Sequence, residues 1–250
     1  MYAQIVADLL ARRKSNIKGQ RLNEEARPKS LDEAFAIQQA VAKTRSDSIS
    51  GWKCLLPLDV DKQIAAPIFS DTVETGAECY LYPQGGKARV EPEIAFVLGR
   101  DLPASETGYS EQEIDDAVAS CHMALELMQH RFEDACEATF FEKLADCMVN
   151  QGLFIGPEID KAAAYKATSI YVSFTQNGNT QSFDGVHPNE LPFKPLHWLI
   201  NTMTKKGVDF KVGQAMITGS YAGIVDADFD ECCTIKYTGL GEYTVTFKSR

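Results

Sequence analysis

From Gly51 onward the chain breaks into short apolar segments punctuated by proline and glycine, and these do not alternate regularly with helical stretches. A doubly wound parallel sheet needs that alternation, so the pattern predicts an α+β protein with a mixed-strand β core. Strands are expected at Cys79–Tyr82, Val90–Leu98, Leu153–Ile155, Ser169–Phe174, Ala215–Thr218 and Tyr243–Phe247. Asn177-Gly178 between two β-rich stretches predicts a type I′ hairpin. Gly239-Leu240-Gly241 reads as a hairpin turn, because strand alternation follows it where a phosphate loop would open a helix.

Two helices are predicted ahead of this core. Ile5, Val6, Leu9 and Leu10 share one helical stripe. Ser30 and Glu33 read as a capping box before Ala34, Ile37, Ala40 and Val41. A second box, Ser110 with Glu113, opens a helix carrying Ile114, Ala117, Val118 and Cys121, and a last helix runs from about Pro195 through Met203 to a stop at Gly207. The expected division is a helical or mixed N-terminal region over residues 1–75 and a catalytic domain over 76–250.

A chain of 250 residues, 44% hydrophobic and 24% charged, buries a full core without disulfides. Its net charge of −10 argues against nucleic acid or an anionic membrane surface as partner. The seven cysteines (Cys54, Cys79, Cys121, Cys136, Cys147, Cys232 and Cys233) are odd in number, lack CxxC spacing and lie mostly in apolar segments. That suits buried free thiols in a reducing compartment, and a cytoplasmic protein is expected. No apolar run reaches membrane-spanning length, and the stretch MYAQIVADLLARRKS is expected to be an amphipathic helix, since it lacks the pattern of a signal peptide. No histidine pair has HxH or HExxH spacing, so a zinc site is not expected.

The stretch Val90-Glu91-Pro92-Glu93-Ile94-Ala95-Phe96-Val97-Leu98 carries the chemistry. On a strand, side chains alternate faces, so Glu91 and Glu93 share one face with Ala95 and Val97. Two like charges there need solvent or a cation between them. Farther on, Glu126 interrupts the apolar run Met123–Met128 and is therefore expected to be buried. A buried carboxylate needs a partner or a metal, and Arg131 is one available partner. Three carboxylates with no imidazole or thiolate favour a hard ion: Mg²⁺, Mn²⁺ or Ca²⁺.

These motifs, VEPEIAFVLGRDLPA followed by MALELMQHRF, resemble the metal-binding signature of the 2-keto-4-pentenoate hydratases of the fumarylacetoacetate hydrolase superfamily. Further matches follow in order: GWK at Gly51–Lys53, IFSD at Ile68–Asp71, DCMVNQGLFIG at Asp146–Gly156, LPFKPLHWL, GQAMITGSYAG at Gly213–Gly223, and GLGEYTVTF from Gly239. The resemblance spans nearly the whole chain, and its specificity lies in the co-linear order. It implies a β-roll core, a homo-oligomer, and Mg²⁺ or Mn²⁺ held by Glu91, Glu93 and Glu126. It further implies a small 2-keto acid substrate, with Lys53 as the catalytic lysine and Asp71, Asn150 and Ser220 as substrate-binding candidates.

The implied reaction is hydration of a 2-keto-4-enoic acid to a 4-hydroxy-2-keto acid through a metal-stabilised enolate, as in aromatic catabolism. Related alternatives are decarboxylation of 4-oxalocrotonate or oxaloacetate, C–C hydrolysis of an acylpyruvate, and a non-catalytic partner subunit. The chain departs from the family in two places. Lys53-Cys54-Leu55-Leu56-Pro57 stands where relatives commonly read K-x-G-L-T, and Cys147 stands where an Asn is common.

Overall fold

The computed structural model describes residues 2–133 and 137–250; Cys136 lies outside them. In chain order come α1 (Ala3–Ser15), α2 (Leu31–Thr44), β1 (Ile49–Leu55), β2 (Ile64–Phe69), β3 (Val73–Thr75), β4 (Glu78–Leu81) and β5 (Ala88–Leu98). Next are α3 (Glu111–Ala117), β6 (Val118–Met128), α4 (Phe140–Ala145), β7 (Asn150–Ile159), α5 (Lys161–Tyr165), β8 (Ser169–Gln176) and β9 (Asn179–Val186). The chain continues through α6 (Phe193–Lys205), β10 (Ala215–Ile217), β11 (Val225–Ala227), β12 (Cys232–Tyr237) and β13 (Gly241–Ser249).

Among the described residues the strands form two mixed sheets. The larger runs β2-β1-β10-β5-β6-β7-β3, with β11 also pairing β5, and the smaller runs β4-β13-β12-β8-β9. The α+β reading therefore stands, and three strands from residues 49–75 belong to the larger sheet.

Local sequence explains the elements. Ile5, Val6 and Leu9 turn the buried stripe of α1 inward, and Ala34, Phe35, Ile37 and Val41 do so for α2, which packs against α1 and α4. The Ser30 hydroxyl accepts from the Glu33 N–H at 3.3 Å, but the Glu33 carboxylate accepts from the Lys29 N–H, so the box there is half formed. At Ser110 both halves are present. That helix ends at Ala117, shorter than expected, because Val118 is already extended and opens β6. Asn177 and Gly178 both have positive φ, 50° and 76°, as a type I′ turn requires. No described helix is long and apolar enough to cross a membrane.

The larger sheet has two chemically different faces. On one, Val90, Ile94, Phe96, Leu125, Leu127, Trp52 and Met216 join the main core. On the other, Ala95, Ala124, Leu153, Ala215, Ile217 and Ile68 form a small separate cluster against Val73, Val97 and Ile155. Alternation predicts this split for β5, and it decides where the glutamates go. The six cysteines of the described residues are all free, and only Cys232 is exposed.

Candidate metal centre

Glu91 and Glu93 follow the parity of Ala95 and therefore sit on the second face. Antiparallel pairing sets Glu91 directly opposite Glu126, and Glu93 opposite Ala124. Lys53 reaches the same face by another route: it pairs with Ile217 of β10, which in turn pairs with Ala95 of β5. One oxygen from each of Glu91, Glu93 and Glu126 lies within 4.8 Å of the others.

The groups around them are few and specific. Lys53 Nζ is 2.6 Å from Glu126 Oε1 and donates to the Met148 carbonyl at 3.3 Å. Asn150 Nδ2 donates to the same Glu126 oxygen at 3.0 Å. The Gly219 N–H donates to Glu93 Oε2 at 2.6 Å. Glu126 is fully buried, and its Oε2 has no hydrogen-bond partner among the described residues. Arg131 is not its partner: that guanidinium is buried against Asp146 at 2.7 Å and receives no help from Glu126.

Three carboxylates and one ammonium leave the cluster two charges short of neutral, and the titration behaviour follows. Burial, then Glu126, push Glu91 up to about 7, against the opposing pull of Lys53 and Arg89. Burial also drives Glu93 well above the carboxylate range, reinforced by Glu126 and Glu91. Burial works to discharge Lys53, but Glu126, Glu91 and Glu93 outweigh it, so the ammonium is held above its ordinary range. A divalent cation would remove the repulsion and satisfy the orphaned Glu126 oxygen. The all-oxygen donor set suits a hard ion, and the residues fit one.

A pH dependence follows. Glu91 titrates higher in the folded metal-free protein than in the unfolded chain, so folding takes up a proton between the two values. The metal-free protein should therefore lose stability as pH rises from about 4.5 to about 7. A divalent cation requires ionised ligands, so below that upper value its uptake should release protons and its affinity should fall with pH. Thermal melts in EDTA across this range, and calorimetric Mg²⁺ titrations in buffers of different ionisation enthalpy, read both trends. Mg²⁺ uptake without proton release at pH 6 would contradict this electrostatic picture.

The remaining candidates are spread more widely. Ser220 follows Gly219, and its hydroxyl donates to the Pro92 and Gly223 carbonyls, beside the strand that carries the glutamates. Asp71 is exposed; its N–H donates to Asp47, its carbonyl accepts from Arg250, and it lines a separate cleft with Arg13, Arg45 and Gln151. The two family departures have visible surroundings. Leu55 and Pro188 crowd Gly219, whose φ of 130° and lack of a Cβ keep its N–H on Glu93. Cys147, Met148 and Val149 all take left-handed φ values, 58°, 49° and 60°, an arrangement that costs of order 1–2 kcal/mol per non-glycine residue. The turn presents the Met148 carbonyl to Lys53 and is clamped from behind, where Arg131 and Arg13 both donate to the Asp146 carbonyl. These backbone contacts, from Met148 and Gly219, leave no mark in side-chain chemistry and escaped the sequence reading.

No family model matches the chain. A 2-keto-4-pentenoate hydratase of Burkholderia vietnamiensis is 25% identical over 225 residues, 86% of this chain and 85% of that protein. A 4-oxalocrotonate decarboxylase from Pseudomonas putida G7, solved with magnesium and adipate, superposes with a TM-score of 0.78 at 15% identity, covering 99% of this chain and 98% of that one. The fold is that of the fumarylacetoacetate hydrolase superfamily. A second superfamily structure, fumarylpyruvate hydrolase from Pseudomonas aeruginosa with Mn²⁺ and pyruvate, has a TM-score of 0.54 at 13% identity over 83% of this chain and 93% of that one. The curated relatives carry hydratase names, and the two solved neighbours named here hold divalent metals.

Proposed function

We propose that this protein is a divalent-metal-dependent hydro-lyase that adds water to a small 2-keto-4-enoic acid, with Glu91, Glu93 and Glu126 holding Mg²⁺ or Mn²⁺. The observation that carries this reading is the convergence of three carboxylates on one sheet face around an unsatisfied buried oxygen, with a single ammonium beside them. When bound, the ion supplies a Lewis acid for the keto-acid head group.

The chain's own groups do the rest. Gly219 N–H and Asn150 Nδ2 fix the orientation of Glu93 and Glu126, each through one short hydrogen bond. Lys53 Nζ, held charged between Glu126 and the Met148 carbonyl, is the group placed to hold and move a proton. In the proposed reaction the 2-hydroxyl of a dienol loses a proton and C5 gains one, which leaves a double bond conjugated to the 2-oxo group. Water then adds its oxygen at C4 and a proton at C3.

Incubation with Mg²⁺ and 2-hydroxypenta-2,4-dienoate should bleach the dienol absorbance. Glu93→Gln should abolish this while circular dichroism stays native. Carbon dioxide release from 4-oxalocrotonate with no bleaching of the dienol would replace the hydratase by a decarboxylase. Metal binding without turnover of any keto acid would make the chain a partner subunit.

A further inference from the structure

The strand that brings Lys53 to the glutamates has a second face. Alternation turns Trp52, one residue earlier on β1, the opposite way, into the main core. On that side the helical layer does not close over the sheet. α2 packs against α1 and α4, and a cavity of about 450 Å³ remains between α2, the C-terminal end of α6 and strands β1 and β2. That volume falls within the range of about 300–1,000 Å³ typical of small-molecule sites.

The wall of the cavity is apolar. Phe35, Trp52, Pro67 and Met203 line it with buried side chains, and Ala42 of α2 is small enough to leave the space open. The indole N–H of Trp52 is buried without an acceptor among the described residues, a donor still to be satisfied.

The mouth carries cations. Lys43 and Lys206 line it at exposed positions. The Lys43 ammonium makes no ion pair or hydrogen bond among the described residues. Lys206 reaches Asp32 at 3.1 Å, but that carboxylate is 87% exposed, and such pairs are weak. Its ammonium also lies 5.6 Å from the Phe35 ring, over the cavity wall. Asp47 is the one lining carboxylate, and its charge is already matched: Arg45 donates to both of its oxygens, at 2.6 and 2.8 Å, and the side chain is 4% exposed.

An apolar hollow with spare positive charge at its mouth, in a chain of net charge −10, is complementary to one kind of ligand. We propose that this cavity binds an amphiphilic monocarboxylate, with an apolar body against Trp52 and Phe35 and a single anionic head at Lys43 and Lys206. Lysine stems can cover apolar wall while their charged ends stay at the mouth. The sheet separates this site from the glutamates, which face the other way, so its occupancy can be read with the metal centre empty.

Calorimetry in EDTA at pH 8 compares 2-naphthoate with its neutral analogue 2-naphthamide. Without a metal the glutamate cluster is anionic and does not attract a carboxylate. The acid should bind with a Kd on the order of 0.1 mM. It should bind about fivefold tighter than the amide, the scale of an ion pair at an exposed rim. Lys43→Gln combined with Lys206→Gln should bring the two ligands within about twofold of each other and leave the amide unchanged. Ala42→Trp, which fills the space from the α2 side, should abolish binding of both; Ala42→Leu should weaken both and provides the reading if the tryptophan variant misfolds. Equal affinities for acid and amide, a preference that survives the double lysine variant, or binding that both Ala42 variants spare would overturn the site. Absence of binding would overturn it too, and a lower sedimentation mass for Ala42→Trp in that case would make the cavity a contact between copies of this chain.

Discussion

Glu91→Gln should make the metal-free protein more stable while weakening its affinity for Mg²⁺ by at least about a hundredfold, more than is usual for groups that merely support a ligand. The two effects have one cause. Glu91 stands directly across the ladder from Glu126, and burial and that neighbour push its ionisation up to about 7. Above that pH its charge is held against its preference, at a cost on the order of 2 kcal/mol. A neutral amide of the same shape removes the cost and also removes an anionic ligand. Thermal melts in EDTA at pH 8 and calorimetric Mg²⁺ titrations read the two arms. A lower melting temperature in EDTA, or an unchanged Mg²⁺ affinity, would show that the side chain serves packing and leaves the ion to others.

Lys53→Met should move stability the opposite way. Its ammonium is the single cation in contact with the cluster among the described residues, 2.6 Å from a fully buried carboxylate oxygen. Removing one member of a buried pair costs about 3–5 kcal/mol, because the other charge is stranded. Here three carboxylates would be left facing each other. Mg²⁺ should rescue much of the lost stability, since it supplies the missing positive charge. Turnover should still fall by about 10²–10⁴, the range for a lost proton-transfer group. Adding Glu126→Gln to Lys53→Met should restore part of the stability in EDTA and none of the turnover. A variant of normal stability, or one whose kinetics change only through substrate affinity, would remove Lys53 from both roles.

Much of this centre could be read from the chain because strand parity is a strict rule. Alternation along Val90–Leu98 put both glutamates with Ala95 and Val97, and the structure has them there. Glu126 announced its burial by interrupting an apolar run. The strand that carries it was harder to read. Val118–Met128 is covered on both faces over most of its length and so has no alternation to recognise. The preceding capping box at Ser110 made the helix look longer than the seven residues it has. β1 and β2 were missed because Gly51 and Pro67 interrupt their apolar runs, although Gly51 is required where the Ala215 carbonyl comes too close for any Cβ. The partner of Glu126 was left open between a metal and Arg131, and Lys53 is what the fold supplies. Which distant residue arrives beside a buried charge is decided by strand order, and strand order is not local information.

That order has a consequence for when the centre comes into being. β10, three residues from the last quarter of the chain, lies between β1, which brings the lysine, and β5, which brings two of the glutamates. Until it is inserted, the two halves have no shared edge. A ribosome-bound chain that has released everything up to α6 would hold all four charged groups, the glutamates on paired β5 and β6 but the lysine still without the strand that brings it to them. Lys53 should therefore join the centre late in biosynthesis.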